Sequence, residues 1–152
     1  MTLFLIFLLA SVAAASTGVI FKPGPWYDRL KKPSFTPPKW AFPVAWTLIY
    51  LLSAVAAARV AVLPGAGVAL ALWAAQIALN TLWTPLFFGA RQMAGGLVVI
   101  VTLLVTVASM TAAFWQLDGW AGAMLLPYVA WLVVATALNW CIWRDNPGAA
   151  DS

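Results

Sequence analysis

The chain has 152 residues, of which 64% are hydrophobic, and it carries eight basic and four acidic side chains. So few charges cannot cover a soluble domain of this size, and most of the surface must therefore face membrane lipid. The sequence contains no histidine and a single cysteine, Cys141. This excludes common metal sites, histidine-ligated haem, histidine-based catalytic triads and disulfide frameworks within one chain.

Five apolar segments follow one another along the chain, each close to the roughly 20 residues that a helix needs to cross about 30 Å of hydrocarbon. They are predicted at residues 3–21, 42–61, 68–88, 93–115 and 120–143. No Lys or Arg precedes the first segment, so we expect a retained helix rather than a signal peptide. Short breaks separate the later four, which makes successive helices antiparallel neighbours. The sequence therefore predicts an all-α integral membrane protein, a single bundle of five transmembrane helices over residues 1–152.

A long basic loop at residues 22–41, called the first loop below, contains five prolines that stiffen it. Five helices that cross the membrane in alternating directions place the first loop, Arg91 and Arg144 on the same side. That side then carries seven of the eight Lys and Arg residues, and the other side carries only Arg59. If the chain lies in a bacterial inner membrane, the positive-inside rule then places the N-terminus outside and the C-terminus in the cytoplasm. Basic residues clustered beside apolar spans indicate anionic lipid rather than nucleic acid as the partner.

The third predicted span carries two indoles and two amides on one helical face. Trp73, Gln76, Asn80 and Trp83 are three, four and three residues apart, which places them along one stripe. An amide without a partner is costly in lipid, so we expect the stripe to face the interior of the bundle. There the amides either join helices or bind a ligand, and position alone favours the first interpretation.

Two other spans present aromatic side chains at similar depths. Trp46 and Tyr50 lie one turn apart in the second span. The fifth span repeats this rhythm with Tyr128, Trp131, Ala135 and Leu138. Such rings suit a flat apolar ligand, which amides can orient, although the spacing alone favours an aromatic core.

Ionisable side chains are nearly absent from the middle of the predicted spans. Arg59, Asp118 and Arg144 all lie near span ends. A carboxylate relay, a charged filter and an acid–base pair are therefore not predicted, and neither are catalytic residues or a metal site.

Small residues in the third span recur at four-residue spacing, at Ala71 with Ala75 and at Ala74 with Ala78. This spacing lets another helix approach closely. It predicts either packing within one bundle or a homodimer.

Three segments carry a resemblance to a known family. Residues 25–40 read PWYDRLKKPSFTPPKW and are followed at 42–50 by FPVAWTLIY; residues 76–93 read QIALNTLWTPLFFGARQM; and the last span runs from PYVAW at 127–131 to LNWCIWRDN at 138–146. In this order, over nearly the whole chain, they resemble the translocator protein family, also called the tryptophan-rich sensory proteins. The hallmark of that family is WYxxLxKPxxxPPxxxF leading into a helix with Trp and Tyr.

The resemblance implies a five-helix bundle, commonly dimeric, whose ligand pocket opens beneath the first loop. Family members bind porphyrins such as protoporphyrin IX, and many bind sterols or synthetic benzodiazepine-type and isoquinoline-type ligands. By motif, the pocket is lined by Tyr27, Trp46, Asn80, Trp131 and Ala135, with Phe114 and Leu138 as further walls. Tyr50 and Trp83 join this set from the aromatic stripes. The first loop would act as a lid through Trp26, Lys32, Pro37 and Trp40.

Three functions follow from the resemblance: a membrane receptor or sensor for tetrapyrroles, a transporter of the same ligands, or an enzyme that degrades porphyrin photo-oxidatively. The third is disfavoured, because no acid, base or metal accompanies the indoles of Trp46 and Trp131. The sterol motif of animal members has the form Leu, Tyr, Arg, whereas this chain has Leu138, Trp140 and Arg144. The strict sterol motif therefore lacks its tyrosine, and the alanine-rich composition is typical of a bacterial protein, for which tetrapyrrole is a more natural ligand than sterol.

Overall fold

The structure is a computed structural model that describes residues 2–20 and 24–148, without the side chains at 18 and 19. Its helices are α1 (Thr2–Ile20), α2 (Pro25–Asp28), α3 (Ala41–Ala61), α4 (Gly67–Thr84), α5 (Met93–Leu117), α6 (Gly119–Met124) and α7 (Leu126–Asp145), and a π-helical turn (Pro85–Gly89) continues α4. The described residues contain no strand. The predicted all-α class is confirmed.

Four helical segments are long and apolar enough to cross a membrane: Ala41–Ala61, Gly67–Gly89, Met93–Leu117 and Gly119–Asp145. The fifth member of the bundle is α1, which is apolar but shorter by this measure, and it packs along α3 and α4. The structure is thus consistent with the predicted five-helix bundle. The predicted end of the first span at Phe21 and the first residues of the first loop, 22–23, lie outside the described residues.

Two predicted spans are less regular than their apolar patterns indicate. Pro85 has no N–H to donate to the preceding turn, and the helix widens there, so that the Ala90 N–H donates to the Pro85 carbonyl at 2.8 Å. The last span is built from two helices, α6 and α7, that meet at Leu125. Pro127, in the first turn of α7, fits this break because a proline at that position loses no helical hydrogen bond.

The first loop contains the short helix α2, which the proline content did not predict. Pro25 begins it, and its next two residues, Trp26 and Tyr27, are buried. The described part of the loop therefore rests on the bundle through aromatic side chains.

The two halves of α3 pack differently. In the C-terminal half, Ala54, Ala56 and Ala57 are fully buried, and these small side chains let α3 lie close to its neighbours α1 and α6. The N-terminal half carries the bulky Trp46 and Tyr50 instead, and α3 has little contact with α4 and α7. This difference leaves room for a cavity beside the N-terminal half of α3.

The basic residues gather at one end of the bundle. The Lys31 N–H donates to Asn146 Oδ1 at 2.7 Å, and the Arg91 guanidinium lies 5.6 Å from the Trp26 ring centroid, which brings the first loop, Arg91 and the end of α7 together. At the opposite end, Arg59 Nε donates to Asp118 Oδ2 at 2.6 Å. Which end faces the cytoplasm stays a prediction.

The small-residue pairs of the third predicted span face outward. Ala71, Ala74, Ala75 and Ala78 are all exposed on α4. Packing within the bundle therefore does not use this face of α4, and a homodimer stays a prediction.

The contact between α5 and α6 gives the first testable prediction. A Cβ on Gly122 would lie 2.8 Å from Trp115 Cα, so the Gly122→Ala variant must push the two helices apart, whereas a Cβ on Gly119 would have nothing within 4 Å. We expect Gly122→Ala to lower the free energy of unfolding by about 1–3 kcal/mol, and Gly119→Ala to have a much smaller effect. Denaturant unfolding in mixed micelles measures both. Equal stabilities of the two variants would contradict the close approach.

Candidate ligand-binding site

A cavity of about 460 Å³, the main cavity, lies between the N-terminal half of α3 and the ends of α1 and α4, beneath the first loop. Its lining residues are Ala15, Thr17, Tyr27, Lys39, Phe42, Pro43, Trp46, Thr47, Tyr50, Asn80, Trp83, Thr84 and Phe88. Most of these are aromatic or apolar, and the volume falls within the range of about 300–1,000 Å³ that small-molecule sites occupy.

The wall on α3 is formed by aromatic side chains at four-residue spacing. Phe42, Trp46 and Tyr50 share one face of the helix and line the cavity together. The Trp46 ring is central, because its centroid lies 5.7 Å from that of Tyr50 and 6.4 Å from that of Trp131. These ring contacts join α3 to α7 across the site.

Asn80 contributes a buried amide to the lining and links three helices. Its Oδ1 accepts a hydrogen bond from the Tyr50 hydroxyl at 3.3 Å, and its Nδ2 donates to the Tyr128 hydroxyl at 2.6 Å. Tyr128 in turn donates to Gln76 Oε1 at 2.7 Å. The chain of hydrogen bonds starts at the cavity and ends in the buried interior between α4 and α7.

Trp83 is fixed from two sides. Its Nε1 donates to Asn139 Oδ1 at 3.1 Å, and its ring stacks on Phe87 with centroids 5.2 Å apart. Asn139 is held in turn, because its Nδ2 donates to the Met93 carbonyl at 3.0 Å. The orientation of this part of the wall is therefore set by α5 and α7 as well as by α4.

A second, smaller space of about 30 Å³, the small void, lies on the α7 side of the same aromatic wall. Tyr27, Phe42, Trp46, Trp83 and Phe88 border both spaces, and the residues that border the small void alone are Phe87, Trp131, Ala135, Leu138, Asn139 and Ile142. Nε1 of Trp131 is buried and has no hydrogen-bond acceptor within the described part of the chain. An unpaired N–H at this place is a donor that a ligand oxygen can use.

The structure divides the predicted pocket residues into three groups. The main cavity is lined by Tyr27, Trp46, Tyr50, Asn80 and Trp83. Trp131, Ala135 and Leu138 border the small void instead. Phe114 lines neither of these two spaces and is fully buried in the core, and a role for it as a pocket wall stays a prediction. The face of α5 that carries Phe114 packs against the other helices below the site.

The four lid residues predicted in the first loop lie in different environments, and none of them borders the main cavity or the small void. Lys32 Nζ lies 4.6 Å from the ring centroid of Tyr27, which itself lines the main cavity. Trp26 is buried against Phe87 rather than over the mouth, with centroids 5.8 Å apart, and Trp40 is 69% exposed. Pro37 is half-buried and borders neither space.

Lys39 is the charged residue that lines the main cavity. Its Nζ forms an ion pair with Asp28 Oδ1 at 2.5 Å. The hydrogen bond from Lys39 lowers the pKa of the Asp28 carboxyl, an effect that partial burial opposes. The pair is therefore intact at neutral pH, and on the acid side it is lost as the pH falls through this lowered pKa.

Several lining residues were not predicted individually. Phe42 continues the four-residue spacing of Trp46 and Tyr50, and Phe88 lies within the run 76–93 that carries the resemblance, so both had a signal in the sequence. Ala15 and Thr17 of α1 had none, because nothing in an evenly apolar helix marks the residues that face a cavity.

A helical membrane protein with an aromatic cavity of ligand size beneath a basic loop is the class that this fold and site define. The sequence model of the TspO/MBR family matches residues 3–144, and the chain belongs to that family.

Relatives from bacteria and animals match most of the chain. It is 51% identical to Protein CrtK of Rhodobacter capsulatus over 97% of this chain and 95% of that protein. It is 52% identical to the tryptophan-rich sensory protein of Cereibacter sphaeroides, over 95% of this chain and 91% of that protein. The human translocator protein is 41% identical, over 81% of this chain and 76% of the human protein. The names of the last two proteins describe a sensor and a translocator.

The hydrogen bonds at Asn80 give the second prediction. Asn80→Leu removes two interhelical bonds and should lower the free energy of unfolding by about 1 kcal/mol, since such bonds average about 0.6 kcal/mol each in membranes. Tyr50→Phe removes only the longer one and should cost less. In a double-mutant cycle, Asn80→Leu and Tyr128→Phe should be less than additive. Additive losses would contradict a direct bond between these two side chains.

Proposed function

We propose that this protein is a membrane receptor or sensor that binds a tetrapyrrole of the protoporphyrin IX kind in the main cavity, in the cell membrane of a bacterium. The observation that carries this proposal is the cavity itself, whose walls are aromatic rings on α2, α3 and α4 and whose buried polar group is Asn80. Large flat rings prefer offset-stacked or edge-to-face contacts, and Trp46 and Trp83 offer faces and edges for both.

Polar groups at two places would fix the orientation of such a ligand. Tyr50 and Asn80 offer oxygen acceptors at the buried end, since the Tyr50 hydroxyl already donates its proton to Asn80. Lys39 offers a cation at the first loop, where the carboxylates of a porphyrin could replace Asp28 as its partner. An amphipathic ligand would then lie with its acidic edge toward the first loop and its apolar body among the rings.

The chain contains no histidine, so a bound tetrapyrrole would be held by ring contacts and hydrogen bonds rather than by a histidine–iron bond. The names of relatives, a tryptophan-rich sensory protein and translocator proteins, support a role in recognising or moving a small molecule. Membrane lipid surrounds the outer faces of the helices, and a sterol remains the second ligand to test.

Removal of a cavity-wall indole should weaken porphyrin binding. We expect Trp46→Ala to raise the Kd for protoporphyrin IX by about tenfold, because the large ring at the centre of the wall is lost. Trp131→Ala should have a smaller effect, since Trp131 lies behind the wall. Absorbance titration in lipid nanodiscs, in the dark and without oxygen, measures binding free of photochemistry.

The matched control is Trp120→Ala, because Trp120 is 72% exposed and borders neither space. Its Kd should equal that of the unmodified protein. If Trp46→Ala and Trp131→Ala also left the Kd unchanged, the porphyrin site could not be here. Competition by cholesterol in the same titration tests the sterol alternative.

The ion pair of Lys39 provides a prediction about the charge of the ligand. Asp28→Asn releases Lys39 from its partner, so a ligand carboxylate no longer has to compete with Asp28. We expect affinity for protoporphyrin IX to rise about two- to threefold, the modest size typical of exposed pairs. The dimethyl ester of the same porphyrin should show no change. If Asp28→Asn raised the affinity for the ester by the same factor, the cause would be a movement of the loop and not the charge of the ligand.

Transport is the second candidate function, and the names of the animal relatives favour it. A ligand could pass along an aromatic groove without a carboxylate relay. Porphyrin flux into proteoliposomes, compared with protein-free liposomes and with Trp46→Ala, tests this. Flux that requires the protein and falls in the variant supports transport, and equal flux with and without the protein removes it.

A further inference from the structure

We propose that Asn146 is a positioning residue that holds the first loop over the main cavity, an inference that rests on the proposed function of that cavity. Asn146 follows α7, 115 positions along the chain from the loop residue that it contacts. None of the sequence patterns that indicate the pocket includes a role for it.

The side-chain amide of Asn146 pairs with the backbone of the loop in both directions. Its Oδ1 accepts a hydrogen bond from the Lys31 N–H at 2.7 Å, and its Nδ2 donates to the Lys31 carbonyl at 2.9 Å. The amide is thus hydrogen-bonded to both the N–H and the carbonyl of Lys31, as a residue of a paired β-strand would be. A carboxamide supplies a donor and an acceptor on one rigid group, which matches the two backbone groups of Lys31.

Asn146 is also anchored to α7. Its Nδ2 donates to the Ile142 carbonyl at 2.8 Å, one of the last carbonyls of the helix, which have no partner within the helix. The same side chain therefore caps the C-terminal end of α7 and connects the first loop to that end through hydrogen bonds. If the loop moves away, it must either break these bonds or carry the end of α7 with it.

The segment that Asn146 holds leads directly to the cavity. Leu30 precedes Lys31 and is buried in one cluster with Tyr27 and Ile142. Lys32 follows, and its Nζ lies over the ring of Tyr27, which lines the main cavity. The bonds of Asn146 thus fix the backbone between two residues that pack on Tyr27.

A loop held at this point should slow the departure of a ligand more than its arrival. Apolar packing of Leu30 and Tyr27 seats the loop whenever it is closed, whereas the two directional bonds to Lys31 have to break before it opens. Net contributions of hydrogen bonds of this kind correspond to a factor of about five in an equilibrium constant.

The test compares Asn146→Ala with Lys31→Ala. The second variant keeps both backbone groups that Asn146 contacts, so it should retain the bonds and serve as the matched control. Amide hydrogen exchange of residue 31 in the ligand-free protein should become about fivefold faster in Asn146→Ala and stay unchanged in Lys31→Ala. Stopped-flow dissociation of protoporphyrin IX should accelerate by a similar factor in Asn146→Ala alone, with the association rate nearly constant.

The two measurements separate failure of this inference from failure of the proposed function. Unchanged exchange at residue 31 overturns the role of Asn146 whether or not porphyrin binds. Faster exchange with an unchanged dissociation rate overturns it as well, because the loop would then be held but would not retain the ligand. If the unmodified protein does not bind protoporphyrin IX at all, the proposed function fails, and the exchange result still decides whether Asn146 fastens the loop.

Discussion

The structure depends on one constraint: a carboxamide buried among transmembrane helices has no water to bond with, and leaving it without a partner is costly. Asn80 meets this requirement through Tyr50 and Tyr128, and Asn139 meets it through Trp83 and the Met93 carbonyl. Each amide joins helices that the apolar pattern alone would leave free to rotate or slide. Because the partners are aromatic hydroxyl and indole groups, satisfying the amides also orients the rings, and the cavity wall is a consequence of the same bonds.

The opening of a cavity in so apolar a bundle comes from the unequal halves of α3. Alanines in one half allow close helix packing, whereas indole and phenol rings in the other half separate α3 from α4 and α7. The first loop borders the same space, because its residues Tyr27 and Lys39 contribute to the lining. A change of side-chain size along a single helix therefore positions the cavity at the loop end of the bundle.

The spacing of apolar and aromatic residues predicted which face of a helix is buried, but not which helix packs against that face. The stripe on α4 lies inside the bundle, since Trp73, Gln76 and Asn80 are buried. Spacing could not show that Phe114 packs into the core and borders neither of the two spaces, because an inward face does not say which helix lies opposite. The environment of residues in the first loop was harder to predict. Trp26 is buried and Trp40 is exposed, and a proline-rich segment has no regular spacing of apolar residues from which this difference could be predicted.

The rings between the main cavity and the small void are not held equally. Trp83 is fixed by its bond to Asn139 and its stack on Phe87, whereas within the described residues Trp46 meets Tyr50, Tyr128 and Trp131 through ring contacts. Ring contacts tolerate rotation of a side chain better than a buried hydrogen bond does, because the bond leaves an unpaired polar group when it breaks. The indole N–H of Trp131 has no partner among the described residues, and a ligand that extends to it from the main cavity would therefore displace Trp46 more readily than Trp83. Trp46 is one of the five residues that border both spaces, so rotation of its ring would bring Trp131 on α7 closer to the residues of α3 and α4 that line the main cavity.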